Sequence, residues 1–242
     1  MFERAHHRRI EQVLLALDGP RLSSLGCLFG GGTAIVLKHG EYRESADIDF
    51  VVSHAPGYRE LRQSLTRNAG STGSAGLAPI MRAGRTLALL REVRADQYGV
   101  RTLLGAAGTP IKLEIVFEAR ITLAAPAADD AIAGVPCLTA LDMAATKLLA
   151  NSDRWADRAV HSRDLIDLAM LQCPSALLRQ AIAKAEAAYG DSVRRDLAAA
   201  VAQLRAQPSR LAECMAALGI SGVPRAVLWN RIRRLQTAAA PA

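Results

Sequence analysis

Several features are scarce in this 242-residue chain, in which aromatic residues make up only 4%. Cys27, Cys137, Cys173 and Cys214 lie far apart with no CxxC pair, which excludes a locally encoded zinc ribbon or thioredoxin-type redox site and leaves reduced thiols. His6, His7 and His161 have no partner at zinc-ligand spacing. Lysine occurs only at positions 38, 112, 147 and 184, so arginine supplies most of the positive charge. Arg, Asp or Gly interrupts every apolar run before the roughly 18 residues needed to cross a bilayer. The N-terminal stretch MFERAHHRRIEQVLLALD is helical in period and lacks the apolar core and small-residue cleavage site of a signal peptide. A cytoplasmic protein with no membrane attachment is the expectation. No repeat of fixed period is present.

What the chain does contain is a globular balance, 50% hydrophobic and 22% charged. Thirty basic residues against 23 acidic ones give a net charge of +7, an excess that favours a polyanionic partner such as nucleic acid. The excess is uneven: residues 1–137 carry 16 basic and 14 acidic side chains (+2), residues 138–242 carry 14 and 9 (+5).

Phe2, Ile10, Val13, Leu14 and Leu17 recur near a 3.6-residue period and predict a helix ending at Asp18-Gly19-Pro20. The apolar run Leu25 to Phe29 then stops at Gly30-Gly31-Gly32-Thr33, and Ala34 to Lys38 reads as a helix: a strand, glycine turn, helix unit. Ala46 to Val52 predicts a second strand with Asp47 and Asp49 on one face and Ile48 and Phe50 on the other. Tyr58 to Asn68 is helical in pattern, and residues 69–76 form a Gly/Ser-rich loop. Thr86 to Val93, Val100 to Leu104 and Ile111 to Phe117 lean to strand, so a mixed sheet is expected. Gly134-Val135-Pro136 marks a boundary, after which a helical bundle is expected, broken at Pro174, Gly190, Pro208 and Gly219 to Pro224.

A glycine turn at a helix N-terminus offers bare amides and the positive end of the helix dipole to a phosphate. It is neither a Walker A loop nor a GxGxxG fingerprint, and alone it is more often structural. Two same-face carboxylates following one helix later change its meaning, because they can hold a hard divalent cation that also grips phosphate oxygens. A third carboxylate would orient or deprotonate the attacking group. Glu114, in Ile111-Lys112-Leu113-Glu114-Ile115-Val116, is the best candidate, though a solvated strand face explains it equally well. Trp155 and Trp229 could stack on bases, but a tryptophan on an amphipathic helix is more often core or interface. The Arg231, Arg233, Arg234 cluster fits RNA phosphates and the negative end of the last helix equally.

Gly31-Gly32-Thr33-Ala34-Ile35, then Arg43-Glu44-Ser45-Ala46-Asp47-Ile48-Asp49-Phe50, resembles the GG[ST]-A...R-x-S-x-D-[IL]-D-[FL] signature of nucleotidyltransferases in the AbiEii/AbiGii toxin family. Lys147-Leu148-Leu149-Ala150, with Arg154 and Arg158, and then Arg163-Asp164-Leu165-Ile166-Asp167-Leu168 are similar to that family's later K-L-x-A...R...R-D-[LI]-x-D-L motif.

The resemblance implies an α+β fold, a polymerase-β-like nucleotidyltransferase core with mixed sheet followed by a C-terminal helical bundle. Residues 1–137 would be the catalytic domain, and residues 138–242 a helical domain completing the active site and binding the acceptor. Asp47 and Asp49 would bind Mg²⁺ or Mn²⁺, while Gly31, Gly32 and Thr33 hold the phosphates of the NTP; the Glu114 candidate stands on its strand position alone. Lys147 would meet the triphosphate, and Arg163 and Asp167 would lie at the nucleotide. Asp164 is favoured over Asp167 as the catalytic late aspartate. Arg154 and Arg158 would join a basic ridge or simply pair with Asp153 and Asp157. The implied activity is a toxin's: transfer of NMP to an RNA acceptor, foremost the 3′ end of tRNA, restrained by a separately encoded antitoxin. Two rivals remain: a small hydroxylated acceptor such as an aminoglycoside, and a catalytically inactive binding module.

Overall fold

The structure, a computed structural model, describes residues 2–67 and 74–239. Most of the expected 69–76 loop therefore lies outside the described residues, while Ser74–Ile80 is a 3₁₀ segment. Two units are distinguished, Met1–Lys38 with Ser45–Thr139, and His39–Glu44 with Ala140–Ala242.

In the first unit the N-terminal periodicity becomes α1 (Ala5–Ala16), which buries Ile10, Val13 and Leu14. The Asp18-Gly19-Pro20 stop is also a start. The Asp18 side chain accepts the Arg21 N–H at 2.9 Å and caps α2 (Gly19–Ser24). Pro20 sits in the first turn, where its missing N–H costs nothing. β1 (Cys27–Gly30) and α3 (Gly31–Lys38) follow, then β2 (Ile48–Val52) and α4 (Ala55–Arg67). β3 (Ala88–Ala95), β4 (Gly99–Ala106) and β5 (Thr109–Phe117) complete a five-stranded sheet of order β1-β2-β5-β4-β3. β2 and β5 run parallel and the other neighbours antiparallel, so the sheet is mixed. Phe29 and Phe50 meet in its core with ring centroids 5.6 Å apart. The Gly134 boundary signal forms a small hairpin, β6 (Ala131–Ile132) and β7 (Val135–Pro136), turned by Gly134 at φ +76°.

The second unit contains α5 (Ala140–Arg154), α6 (Arg163–Met170), α7 (Ser175–Tyr189), α8 (Ser192–Ala206), α9 (Arg210–Ala217) and α10 (Arg225–Ala239). Pro174, Gly190, Pro208 and Gly219 to Pro224 all fall at helix ends, as expected. Leu148, Ile166, Ile182, Leu197, Val201, Leu228 and Ile232 close its core. An interruption at 155–162 carries no Gly or Pro; Asp157 caps a 3₁₀ turn there, and His161 and Ser162 adopt left-handed φ of 51° and 53°. The four cysteines are free thiols, and burial pushes Cys137 up to about 12.

Candidate active site

Register sets the geometry of the sheet unit. β1 and β2 pair so that Gly30 faces Asp49, and the chain turns at Gly31 directly against that side chain. A Cβ at Gly31 would stand 2.8 Å from Asp49 Cβ and collide with its carboxylate oxygen. Gly31 also holds φ +66°, so only glycine suits both the backbone and the approach. α3 begins there, its first amides lacking partners within the helix, beside a half-buried Asp49. The expected strand start is later than residue 46: Asp47 lies just ahead of β2 and is exposed. Buried Ile48 and Phe50 alternate with Asp47 and Asp49, leaving the two carboxylates on the face away from the core.

Thr33 is buried and turns inward. Its hydroxyl donates to the Asp47 carbonyl at 2.5 Å and lies 2.8 Å from the Ser45 hydroxyl. What Thr33 leaves for a phosphate is therefore its backbone N–H. The histidines set aside as zinc ligands act on the same segment. His7, fully buried, accepts the Ser45 N–H at 3.2 Å, and His6 Nε2 donates to the Ala46 carbonyl at 3.1 Å. Composition offered no signal for this work; only the fold brings α1 to the loop before Asp47.

Glu114 lies beside Asp49, its partner in the parallel β2–β5 register. Its carboxylate accepts from Lys112 at 2.6 Å and Arg101 at 2.7 Å. Burial raises the Glu114 carboxyl, but these two cations outweigh it and hold the group below the usual glutamate range. The Lys112 ammonium is raised, chiefly by its bond to Glu114, with Asp47 and Asp49 adding to the effect. Lys112 is thus the cation among three carboxylates.

Among the described residues no three His, Cys, Asp or Glu side chains gather as a ready metal cage. Asp47 and Asp49 nonetheless fit a hard divalent ion of the Mg²⁺ kind, which takes one or two protein carboxylates and completes its shell with water and substrate phosphates.

In the helical unit the late motif closes into a buried ion-pair network. Asp164 and Asp167 are 3% and 0% exposed. Lys147 bridges them, at 2.9 Å from Asp164 Oδ1 and 2.8 Å from Asp167 Oδ2. Arg154 grips both oxygens of Asp164, at 2.7 and 3.0 Å. Arg43 grips both oxygens of Asp167, each at 2.8 Å, and the Tyr42 hydroxyl donates to Asp167 at 2.6 Å. Burial raises both aspartates, yet Lys147, with Arg154 at Asp164 and Arg43 at Asp167, holds both below 3.8. Burial lowers Lys147, and the two aspartates more than restore it. The Arg154–Asp153 pairing weighed from the sequence is not what forms; Arg154 turns to Asp164 because that carboxylate is buried and needs the donors.

Arg163 is half-buried at the start of α6 and Arg158 is exposed; neither joins the network. Tyr42 and Arg43 carry no role that their own position in the sequence implies. Their signal was present all the same, because the Arg of the first motif and the second Asp of the late motif are partners.

The model of the nucleotidyl transferase AbiEii toxin family, of type IV toxin–antitoxin systems, matches residues 16–241. The chain belongs to this family. A candidate nucleotidyltransferase from Helicobacter pylori has a similar fold, with 16% identity, coverage of 99% of this chain and 94% of that one, and a TM-score of 0.51. JHP933 from the same organism aligns at 15% identity over 99% of this chain and 92% of its own, with a TM-score of 0.49. No curated protein matches. As an AbiEii-family member the protein is a nucleotidyltransferase toxin, and membership implies an NTP substrate and an antitoxin partner. No helix among the described residues is long and apolar enough to cross a membrane.

Proposed function

We propose that the protein transfers NMP from an NTP to the 3′-hydroxyl of an RNA, with the 3′ end of tRNA the foremost acceptor. The observation that carries this reading is the packing of Asp49 on Gly31 at the start of α3, with Asp47 on the same strand face. Backbone amides of Gly31, Gly32 and Thr33 would receive the phosphates while the two aspartates present hard oxygen ligands beside them. A divalent cation, Mg²⁺ or Mn²⁺, would supply charge neutralisation for the triphosphate and the departing pyrophosphate. Thr33, His6 and His7 keep the 45–47 backbone fixed, so the carboxylates need little rearrangement when nucleotide arrives. Glu114 is a weak proton acceptor in its paired state, and its part is to hold Lys112 beside the aspartates.

The sheet-bearing region would carry the chemistry and the helical region the acceptor. Lys147, Asp164 and Asp167 serve the architecture of the helical unit. Drawing the ammonium away to grip a triphosphate would take one charge-assisted bond from each of two buried carboxylates, leaving Asp164 to Arg154 and Asp167 to Arg43 and Tyr42. Arg163, with no ion pair among the described residues, remains available to a polyanion. RNA is favoured over a cationic aminoglycoside by charge: residues 138–242 sum to +5, and two cavities of the helical unit are lined by arginine and by no acidic residue.

Purified protein incubated with each α-labelled NTP, Mg²⁺ and total RNA tests the reading. Label in tRNA with wild type and none with Asp49→Ala supports it. Label on an aminoglycoside in place of RNA moves the acceptor to a small molecule, and toxicity unchanged by Asp47→Ala points to a binding module.

A further inference from the structure

The last helix carries a second feature. Arg205 of α8 joins Arg233 and Arg234 of α10, with Asn230 and Gln236, around an open cleft of about 520 Å³. The α10 arginines fit two explanations by sequence, and the helix's length decides between them. α10 continues to Ala239 and has no basic residue in its last turn, so Arg233 and Arg234 do not sit at the negative end of the helix dipole. Arg205 comes from a different helix, and the macrodipole of α10 does not account for it either.

The three guanidinium groups are exposed, and none forms an ion pair among the described residues. Neutral amides hold two of them: Arg205 donates to Gln236 Oε1 at 2.7 Å and Arg233 to Asn230 Oδ1 at 2.9 Å. Their positive charge is thereby oriented without being cancelled. Other arginines of this unit do meet carboxylates, among them Arg194 with Glu186 and Arg210 with Glu213.

We infer that this α8–α10 cleft binds the phosphodiester backbone of the RNA acceptor. The inference rests on the RNA reading given above and adds the surface that would hold the RNA. Planar, permanently charged guanidinium forks suit phosphate oxygens, and such backbone binding positions a nucleic acid without reading its sequence. An acidic protein partner fits less well. Protein interfaces centre on apolar and aromatic side chains, and none lines this cleft.

The test is fluorescence anisotropy of fluorescein-labelled unfractionated tRNA, with Mg²⁺ and no NTP, on the full chain across a salt series. Wild type is compared with R205Q/R233Q/R234Q and with R179Q, an exposed arginine outside the cleft. The expected result for the triple variant is at least about tenfold weaker binding, and a log–log salt slope shallower by about 2, at roughly 0.7 for each phosphate no longer neutralised. Its thermal midpoint should not change, and R179Q should bind as wild type does. Unchanged affinity and slope in the triple variant would overturn the inference. So would absence of tRNA binding by wild type, or equal displacement of tRNA by polyglutamate at matched charge. If tRNA binding depends on the arginines while NTP transfer to RNA fails, the cleft stands and the proposed reaction falls.

Discussion

Two pairs of aspartates in this chain stand in contrasting surroundings. Asp47 and Asp49 lie two apart at the start of a strand, one exposed and one half-buried, with Lys112 the nearby cation. Asp164 and Asp167 lie three apart on a helix, buried beneath Lys147, Arg43, Arg154 and the Tyr42 hydroxyl. The same functional group stands in two different surroundings. The strand carboxylates stand on the face away from the core, at the start of α3, where the proposed nucleotide and metal would meet them. A carboxylate already bound on every side holds structure, and breaking its set leaves a buried charge unpaired. The family signature spans both: Arg43 and Ser45 are two residues apart, yet they belong to different units.

The comparison can be broken by substitution. Asp167→Ala is expected to lower stability by about 3–5 kcal/mol, read by urea unfolding, because it strands the buried Arg43 guanidinium and leaves Lys147 with Asp164 alone. Arg43→Lys should lose much of the same stability, since an ammonium does not reproduce the two-pronged grip. Asp49→Asn should do the reverse, cutting nucleotide transfer by about 10²–10³-fold or more while the thermal midpoint holds. A collapse of fold with Asp49→Asn, or full activity, would erase the distinction.

Acid sharpens it. Asp164 and Asp167 are held below the ordinary 3.8 in the folded protein. The unfolded chain therefore takes up protons first as pH falls, and the stabilisation present in full above about pH 4 declines toward the lower folded values. Unfolding measured from pH 6 to pH 2 should show this loss, with a shallower slope in Asp164→Asn. A slope unchanged by that substitution would assign the acid sensitivity elsewhere. The smallest effect is expected at Thr33→Val, which removes the hydroxyl bond to the Asp47 carbonyl: about 1–2 kcal/mol of stability and a modest fall in transfer rate.

The turn and strand that position the candidate site were largely legible in the sequence. Glycines at 30–32 and carboxylates alternating with Ile48 and Phe50 are local signals, set by turn chemistry and strand period. The pairing of Gly30 with Asp49 and of Asp49 with Glu114 was not, because register depends on how separate strands meet, and β2 and β5 are more than fifty residues apart. His6 and His7 carried no pattern, since their partners are backbone groups of residues 45 and 46. The buried network was half legible. Its motifs were visible, but a sequence does not say that Lys147 spends its charge on two aspartates, and burial alone makes that pairing obligatory. The helix ends at Pro and Gly were read correctly, whereas the break at 155–162 depends on left-handed His161 and Ser162, residues without a strong turn preference.

Mn²⁺ binding followed by electron paramagnetic resonance, with a non-hydrolysable NTP analogue present, tests most directly whether the Gly31 turn and the strand aspartates form the nucleotide site. Wild-type protein should bind the ion and nucleotide together, and D47N/D49N, still folded, should lose both by at least about tenfold. Equal Mn²⁺ and NTP binding by the two proteins would contradict the account.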